Sequence, residues 1–496
     1  MHLSSDKCED LEDARSPDAN SSDALSDGQS NKDPYLVTWC GTDDPDDPKN
    51  WPRSLKWKNT WAVSLFVFIS PVSSSMIAPA LQDLGESLGM QTELEVYLSL
   101  AIFILAYAVG PIFFGPASEL YGRMRLLQAS NIWYLAWNLG CGFATTKSQF
   151  FGFRFLAGIG GSAPLAIGGG CISDMWSAED RGKAMGIYTL GPILGPVVGP
   201  VAGGFIAQYS TWRWVFWSTS AAALGIQAIG FVWLRESHPA TLLRYRRNRV
   251  AKETGNERLH TVVQPQTFVY TLAVGFWRPI RLFFTQPIIF CMAIYMAYLF
   301  GTTYLLFATF PDVWTVVYHE DPGIGGLNYI SIAVGSFAGL FFNVKVIDPI
   351  YKSLKAHSHN IGKPEFRMPS VAAGSVMCTI GLFWYGWSIG QVHWIMPNIG
   401  AAIFTGGTIS CLQGMQMYII DSYQTYAASA MAACAILRSL AGFGFPLFAP
   451  YMYRALGYGW GTSVLGFFSI GFGWMAPVVM WYYGPRLRAI SRYAAG

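Results

Sequence analysis

Charged residues are scarce in this sequence. Asp, Glu, Lys and Arg together account for 13% of its 496 residues, against the roughly 25% that is usual in soluble domains. Hydrophobic residues account for 52% and aromatic residues for 16%. So few charges exclude an ordinary soluble globular protein, and the excess of apolar residues indicates a protein that folds in a lipid bilayer.

Several chemical motifs are also missing. The absence of a G-x-x-x-x-G-K-[ST] motif argues against a pump driven by ATP. The histidines show neither H-x-x-x-H nor H-E-x-x-H spacing, which argues against a metal-dependent membrane enzyme. The cysteines include no C-x-x-C pair, and we interpret most of them as small apolar fillers. We therefore expect no enzymatic activity, metal, cofactor or nucleic-acid partner.

What the sequence does contain is a series of long apolar segments, each close to the roughly 20 residues that cross a bilayer as a helix. They predict an integral, multi-pass membrane protein in contact with the lipid bilayer. Twelve such segments are predicted, at 60–80, 97–117, 126–145, 150–173, 184–207, 213–234, 284–311, 325–344, 370–390, 392–418, 425–449 and 459–483.

The distribution of basic residues predicts the orientation. An even number of spans puts both termini on the same side, and most Lys and Arg residues fall on that side. The opposite loops contribute only Lys147, Arg213 and Arg454. Because cytoplasmic loops are enriched in Lys and Arg, both termini are predicted to be cytoplasmic, and we expect the plasma membrane as the location.

The polar segments divide the chain into parts. The first part, rich in Ser, Asp and Glu, is predicted to be a disordered tail that ends in an interfacial segment around Trp51 and Trp57. A long basic linker, interpreted as a solvated loop rather than a lipid-binding site, separates two groups of six spans. The predicted parts are the tail at 1–59, a six-helix bundle at 60–234, the linker at 235–283, a second bundle at 284–483, and a tail at 484–496.

One apolar segment combines glycine and proline in a repeated register. It reads GPILGPVVGPVAGG. Glycines four residues apart allow a neighbouring helix to approach closely, and prolines are tolerated inside membrane helices and bend them. The alternatives are a static packing seam and a helix that moves against its partner, and the second is favoured here. The residues concerned are Gly191, Pro192, Gly195, Pro196, Gly199, Pro200, Gly203 and Gly204.

Only two charged residues fall well inside the predicted spans. Arg154 lies near the outer end of its span, where its side chain can instead reach the membrane surface, and Arg438 lies nearer a helix centre, where it can donate to carbonyls of a broken neighbour. No carboxylate lies mid-span. This charge balance predicts neutral or weakly anionic, aromatic-compatible substrates rather than polyamines. The nearest carboxylates lie at span ends, Asp174, Asp348 and Asp421 at cytoplasmic ends and Asp312 at an outer one.

The loop after the second span reads GPASELYGRMRLL from Gly115 to Leu127. It resembles the signature G-x-L-x-D-x-x-G-R-[KR]-x-x-L of the major facilitator superfamily, with Gly115, Gly122 and Arg123 matching and Glu119 replacing Asp. The stretch RFLAGIGG from Arg154 resembles the R-x-x-x-G-x-G motif of the same superfamily. The glycine and proline segment resembles its antiporter motif, which is associated with exporters.

Further stretches resemble the fungal drug:proton antiporter branch with twelve spans, among them DPKNWP, WRWVFW, RESHPA and DSYQTYAASA. The resemblance implies an all-α membrane protein with twelve transmembrane helices in two pseudo-symmetric six-helix bundles. It also implies a monomer that exports a small organic compound, such as a drug, toxin or secondary metabolite, by proton antiport. A nutrient importer or facilitator is the chief alternative, and a membrane sensor without transport is a more distant one. A channel is disfavoured because broken helices in two halves favour alternating access.

The resemblance also suggests roles for individual residues. Arg154 is implicated by it in proton coupling. Arg438 is a second candidate for proton or substrate coupling on a different ground, because an ionisable residue inside a membrane span is usually functional. Glu119 is expected to face the N-terminus of the eleventh span, and Arg123 is expected to pair with Asp174, so that the halves are latched together in the outward-open state. The alternative is that these charges only set topology. Candidates for the substrate cavity are Tyr107, Tyr295, Tyr298, Asn343, Gln413 and Gln416.

Overall fold

The computed structural model describes residues 35–41, 43–177, 179–261, 267–359, 362–491 and 493–494, and most of them are helical. The first half of the chain contains six long helices, with a short helix after the first. They are α1 (Arg53–Ser75), the short α2 (Leu81–Ser87), α3 (Glu93–Tyr121), α4 (Arg123–Gly142), α5 (Lys147–Met175), α6 (Arg181–Tyr209) and α7 (Arg213–Trp233).

Two further helices, α8 (Pro239–Thr254) and α9 (Phe268–Thr285), connect the halves. The second half has π-helical segments at Val313–Val317, Asn343–Ile347 and Ser469–Trp474, and such segments are common at functional sites. Its α-helices are α10 (Pro287–Asp312), α11 (Pro322–Leu327), α12 (Ile330–Phe342), α13 (Asp348–His357), α14 (Met368–Ser388), α15 (Ile395–Ser422), α16 (Ala427–Phe468) and α17 (Met475–Ile490).

Local sequence explains several helix ends. The side chains of Thr92 and Thr146 cap α3 and α5 by accepting from backbone N–H groups three residues later, at 3.3 Å in each case. Gly122 separates α3 from α4 with a φ of 94°. Only glycine adopts that conformation without strain, so the backbone of this turn explains why the loop motif has glycine at position 122.

The helices account for the twelve predicted spans. Within the described residues, ten helical stretches are long and apolar enough to cross a membrane. One of them, Gln424–Ile490, has 67 residues and is interrupted at Gly457, where φ is 71°, so it contains two spans. The remaining span is α4, which falls outside the ten because Arg125, Asn131 and Asn138 lower its hydropathy.

Two predictions about the segments outside the spans were wrong. The linker was predicted to be a loop, yet it contains α8 and α9. Glycine and an aromatic residue let α9 pack on α3, since a Cβ at Gly275 would lie 2.9 Å from Pro116 Cγ and Phe268 lies 6.3 Å from Tyr121, centroid to centroid. The linker is therefore a folded connection and not only a solvated loop.

The described part of the tail, from residue 35 onward, is also more ordered than expected. Residues 1–34 lie outside the described residues. Strand β1 (Leu36–Val37) pairs in parallel with β2 (His260–Thr261) in the linker. Asp44 then accepts hydrogen bonds from the backbone N–H of Cys40 at 2.7 Å and from Arg246 at 2.6 Å. The first helix begins at Arg53 rather than at residue 60, so the interfacial tryptophans flank its first turn.

Candidate functional site

The glycine face of α6 lies against α1, as its spacing predicts. A Cβ at Gly191 would lie 3.2 Å from the backbone nitrogen of Phe68, and one at Gly195 would lie 3.1 Å from that of Val72. Contacts this short leave no room for side chains, so the two backbones touch. The helix remains continuous through Pro192, Pro196 and Pro200.

The far end of α6 contacts the second half of the chain. A Cβ at Gly326 would lie 2.9 Å from Pro200 O, and the side chain of Gln208 accepts a hydrogen bond from Gly323 N at 3.2 Å. Gly203 packs on Met76 and Gly204 on Pro322. Helix α6 thus contacts α1 on one side and the second bundle on the other. The contact with the second bundle lies at the end of the molecule remote from the termini. We call this end the distal face.

Two further side-chain contacts close the distal face between the halves. The hydroxyl of Tyr97 on α3 donates to Asp312 Oδ2 on α10 at 2.5 Å. An ion pair joins Arg454 to Glu93, and both of these side chains are largely exposed. Sequence reasoning placed Asp312 at an outer helix end but did not identify Tyr97, because the partners lie 215 positions apart.

At the opposite end, which we call the terminal face, the loop motif forms the predicted ion pair. Arg123 Nε lies 2.5 Å from Asp174 Oδ2, and both side chains are mostly buried. A third residue, Glu236, accepts from the backbone nitrogens of Arg123 at 2.9 Å and Met124 at 3.2 Å. Sequence reasoning missed this role of Glu236, although it lies in the quoted stretch RESHPA.

The latch hypothesis needs one correction. Arg123 and Asp174 lie on α4 and α5, which belong to the same half, so their ion pair cannot hold the two halves together. Glu119 is exposed and makes no hydrogen bond or ion pair within the described residues. Its contact with the N-terminus of the eleventh span is expected in the outward-open state, in which the terminal face is closed. That contact stays a prediction. Gly115 has open space around it.

Near this cluster, His238 is held in its neutral form. Burial, and after it the nearby charges of Arg123 and Arg244, lower its pKa to about 4. Its ring nitrogen Nδ1 lies 2.9 Å from the hydroxyl of Thr241, at the start of α8. The histidine therefore adds no positive charge to the terminal face at neutral pH.

Arg154 is buried and donates to backbone carbonyls, so the alternative that its side chain reaches the membrane surface is excluded, whereas its role in proton coupling stays a prediction. Its side chain is 0% exposed. It donates to the carbonyl oxygens of Ser73 at 2.8 Å and Ser74 at 3.3 Å, which lie at the C-terminal end of α1. Its guanidinium also lies over Phe103 and Phe216, at 4.5 and 5.4 Å from the ring centroids. Because the last carbonyls of a helix have no partner within it, the cation stabilises that end.

Arg438 has a different environment. Its guanidinium lies 4.8 Å from the ring centroid of Phe300, and its side chain is partly exposed. Within the described part of the chain it has no hydrogen bond or ion pair, and its Nε is buried without a partner. The expected donation to carbonyls of a broken neighbour is therefore not observed. The two intramembrane arginines, which look alike in the sequence, are not equivalent.

The predicted cavity residues do not form one cluster. Tyr107 bonds to Ser70 at 2.6 Å in the first half, and Asn343 donates to Gln413 at 2.7 Å in the second. Tyr295 and Tyr298 stack on each other with centroids 6.0 Å apart, and Tyr298 also donates to Leu465 O at 2.7 Å. Tyr295, Tyr298 and Asn343 are at most 4% exposed, so they belong to the interior of the second bundle rather than to an open surface. Gln416 is partly exposed.

The fold and these motifs agree with the comparison to known families. The family model of the Major Facilitator Superfamily matches residues 63–446. The chain belongs to this superfamily. Its relatives include the efflux pump vrtL of Penicillium aethiopicum, 75% identical over 465 residues that cover 94% of this chain and 92% of the relative. The efflux pump radE of Floropilus chiversii is 37% identical and covers 95% and 88%.

Solved structures of the superfamily share the fold. The xylose transporter XylE from E. coli, in a partially occluded inward open conformation, has a TM-score of 0.63 at 15% identity and covers 87% of this chain and 98% of its own. A bacterial homolog of the human lysosomal transporter Spinster, in an inward-facing conformation, has a TM-score of 0.60 at 14% identity and covers 86% and 98%. These likenesses establish the two-bundle architecture of a major facilitator.

Proposed function

We propose that the protein exports a small organic compound, such as a drug, toxin or secondary metabolite, from the cytoplasm by alternating access, driven by proton entry. Two relatives at 75% and 37% identity are named efflux pumps, which supports export. The basic residues at the terminal face support a cytoplasmic location for both termini. We place the protein in the plasma membrane as a monomer.

The observation that carries alternating access is the asymmetry of the contacts between the halves. At the distal face, polar contacts join one half to the other through Tyr97 and Asp312, and through Gln208 and Gly323. At the terminal face, Arg123 pairs with Asp174 inside the first half. Arg488 pairs with Glu365 at 3.0 Å and Arg367 with Asp421 at 3.3 Å inside the second half. This arrangement supports a state that is closed at the distal face, and export then requires those contacts to break.

We assign the terminal cluster a role in switching. The ion pair of Arg123 with Asp174, together with Glu236, holds the turn between α3 and α4 in one position. That turn presents Glu119, whose carboxylate is free to meet the N-terminus of α16 once the terminal face closes. Unpaired N–H groups at a helix N-terminus favour a negative charge. The contact would stabilise only one of the two states, which is what a switch requires.

We propose that the change between the two states moves α6 relative to the helices that it contacts. Its glycine face is smooth where it meets α1, and its other side seals the distal face against α11. The contact with α11 combines the close approach of Gly204 and Gly326 with the side chains of Phe205 and Gln208, which lie against Gly323. The halves separate there when the hydrogen bond of Gln208 and the packing of Phe205 are lost. The same helix contains the segment that resembles the antiporter motif, which favours outward over inward transport.

The function is tested with purified protein in liposomes under an imposed pH gradient, using a panel of neutral, anionic and cationic aromatic compounds. Saturable flux that follows the gradient supports proton-coupled export. Flux that does not depend on the pH gradient would indicate a facilitator rather than a proton antiporter. Expression in sensitive cells gives the direction, because an exporter confers resistance and lowers accumulation, whereas sensitisation indicates the importer.

A further inference from the structure

Arg438 carries a charge that no described residue neutralises. Its guanidinium lies over the ring of Phe300 at 4.8 Å, and its Nε is buried without a partner. A guanidinium stays protonated and has five N–H donors. An ionised group inside a membrane protein is costly unless it is paired, so such residues are usually functional. The unused donors of Arg438 therefore indicate a missing ligand of opposite charge.

Arg438 points toward the interface between the halves and not toward lipid. Gly442, four residues later, lies on the same face of α16. A Cβ there would lie 3.0 Å from the ring of Phe300 on α10 and 3.1 Å from Ile104 Cγ2 on α3, in the other half. Leu440, on the opposite face, is 43% exposed and faces outward. The partial exposure of Arg438 is thus toward the space between the bundles.

Two aromatic side chains of α10 lie beside Arg438, and a third, from the first half, lies beyond them. Phe300 and Tyr304 have ring centroids 4.8 Å apart, and Tyr304 lies close enough to Arg438 to interact with it electrostatically. From the first half, Tyr107 interacts with Tyr304 in the same way, and its hydroxyl bonds to Ser70. The site offers one cation, the two rings of Phe300 and Tyr304, and the hydroxyl of Tyr304.

The other intramembrane arginine cannot serve the same purpose. The donors of Arg154 are directed to the carbonyls of Ser73 and Ser74, and its two faces lie over Phe103 and Phe216. With a 0% exposed side chain it has no surface on which a ligand could rest. Arg438 is consequently the arginine that a substrate can reach.

We propose that Arg438 binds the anionic group, a carboxylate or phenolate, of an aromatic substrate whose ring packs against Phe300 and Tyr304. The geometry suits such a ligand because a guanidinium recognises a carboxylate through two parallel hydrogen bonds. The aromatic walls contribute apolar contact to the ring. The inference rests on the proposed function and narrows its substrates to aromatic monoanions.

The test measures equilibrium binding to the full chain in detergent, with the fluorescence of its tryptophans as the readout. Three probes share one ring system: naphthoate, naphthalenemethanol and naphthylmethyl-trimethylammonium. The parent protein is expected to bind naphthoate most tightly. The Arg438→Gln variant should lose about tenfold or more of its affinity for naphthoate, because a charge-assisted hydrogen-bonded pair is lost, while its affinity for naphthalenemethanol changes less than about twofold.

Two further variants serve as controls. Arg438→Lys keeps the charge and should recover part of the affinity for naphthoate, though not the geometry of the fork. Arg486→Gln removes an equal charge from the exposed end of α17 and should leave all three affinities unchanged. An equal loss of naphthoate and naphthalenemethanol binding in Arg438→Gln overturns the proposal, as does a parent protein that binds all three probes equally.

The failure of this inference can be separated from the failure of the proposed function. Transport of naphthalenemethanol in liposomes reports on export without involving the anion. If that flux follows the pH gradient while the parent shows no preference for naphthoate, only the role of Arg438 falls. If no probe is transported while the preference and its loss in Arg438→Gln persist, the proposed function falls and the binding site stands.

Discussion

The hydroxyl of Tyr97 is expected to help hold the distal face closed. It donates to Asp312 at 2.5 Å between α3 and α10, and Tyr97 is 5% exposed. A hydrogen bond to a charged group contributes about 1.5–3 kcal/mol. Asp312 is partly exposed, so the lower end applies, and about 1.5 kcal/mol corresponds to roughly a tenfold change in an equilibrium constant. Tyr97→Phe removes the donor and keeps the ring, so it should favour the state open at the distal face by about tenfold.

The assay is a distance measurement between spin labels on the two halves. Cysteines introduced at Thr145 and Gln391 place one label on an exposed distal loop of each half. In Tyr97→Phe, the ratio of the population with the long distance between labels to the population with the short distance should rise by about tenfold. Tyr318→Phe is the matched control, because this distal hydroxyl donates to Ser388 O and Val392 O inside the second half only.

Either of two outcomes would contradict a role of Tyr97 in holding the distal face closed. The first is that Tyr97→Phe leaves the distance distribution of the parent unchanged although the parent moves between two populations when substrate is added. The second is that Tyr318→Phe shifts the populations as much as Tyr97→Phe does. In either case the contact between α3 and α10 would not control the distal face.

Three more outcomes are expected. Arg123→Ala should slow transport several-fold while substrate affinity stays nearly intact, measured by flux and binding side by side, because its ion pair supports switching and does not touch the substrate. Burial alone would raise the pKa of Asp44, but backbone N–H donors and Arg246 hold it below its usual value. The stabilising contact is therefore present at neutral pH and is lost as pH falls through that lowered pKa, and Asp44→Asn should expose the tail to limited proteolysis at neutral pH. Gly195→Val should destabilise the protein by about 1–3 kcal/mol, seen as a lower Tm, because its side chain has no room against α1.

Each of these has a control. Arg486→Gln, at the exposed end of α17, should leave the flux unchanged. Asp46→Asn should leave proteolysis of the tail unchanged, because only the backbone nitrogen of Asp46 bonds to Asp44. Gly186→Ala should leave the Tm near that of the parent, because a Cβ there meets no atom within 4 Å. If a control variant changes the measured property as much as the variant it is matched to, the contact in question does not explain the change.

The membrane spans could be predicted because the bilayer imposes a length and a composition on each helix. The same constraint does not apply to the linker, so its helices were not predicted. Its helix α9 is amphipathic rather than uniformly apolar, and it packs on α3 through Gly275 and Pro116. The tail was missed for a related reason. Its order depends on a short pairing with the linker and on Asp44 meeting Arg246, 202 positions away.

By itself, the sequence determined the number of spans and the close approach of the glycine face of α6 to a neighbouring helix, and it predicted the pairing of Arg123 with Asp174. The first two follow from residue type and local spacing, and the third follows from opposite charges that both lie at cytoplasmic ends of predicted spans. The structure identified the neighbour of α6 as α1. Only the tertiary structure decided that Arg154 is enclosed by carbonyls and rings while Arg438 is left with unused donors, and that Tyr97 meets Asp312. Those differences depend on which helix ends and faces come together, and contacts between distant segments leave no local pattern in the chain.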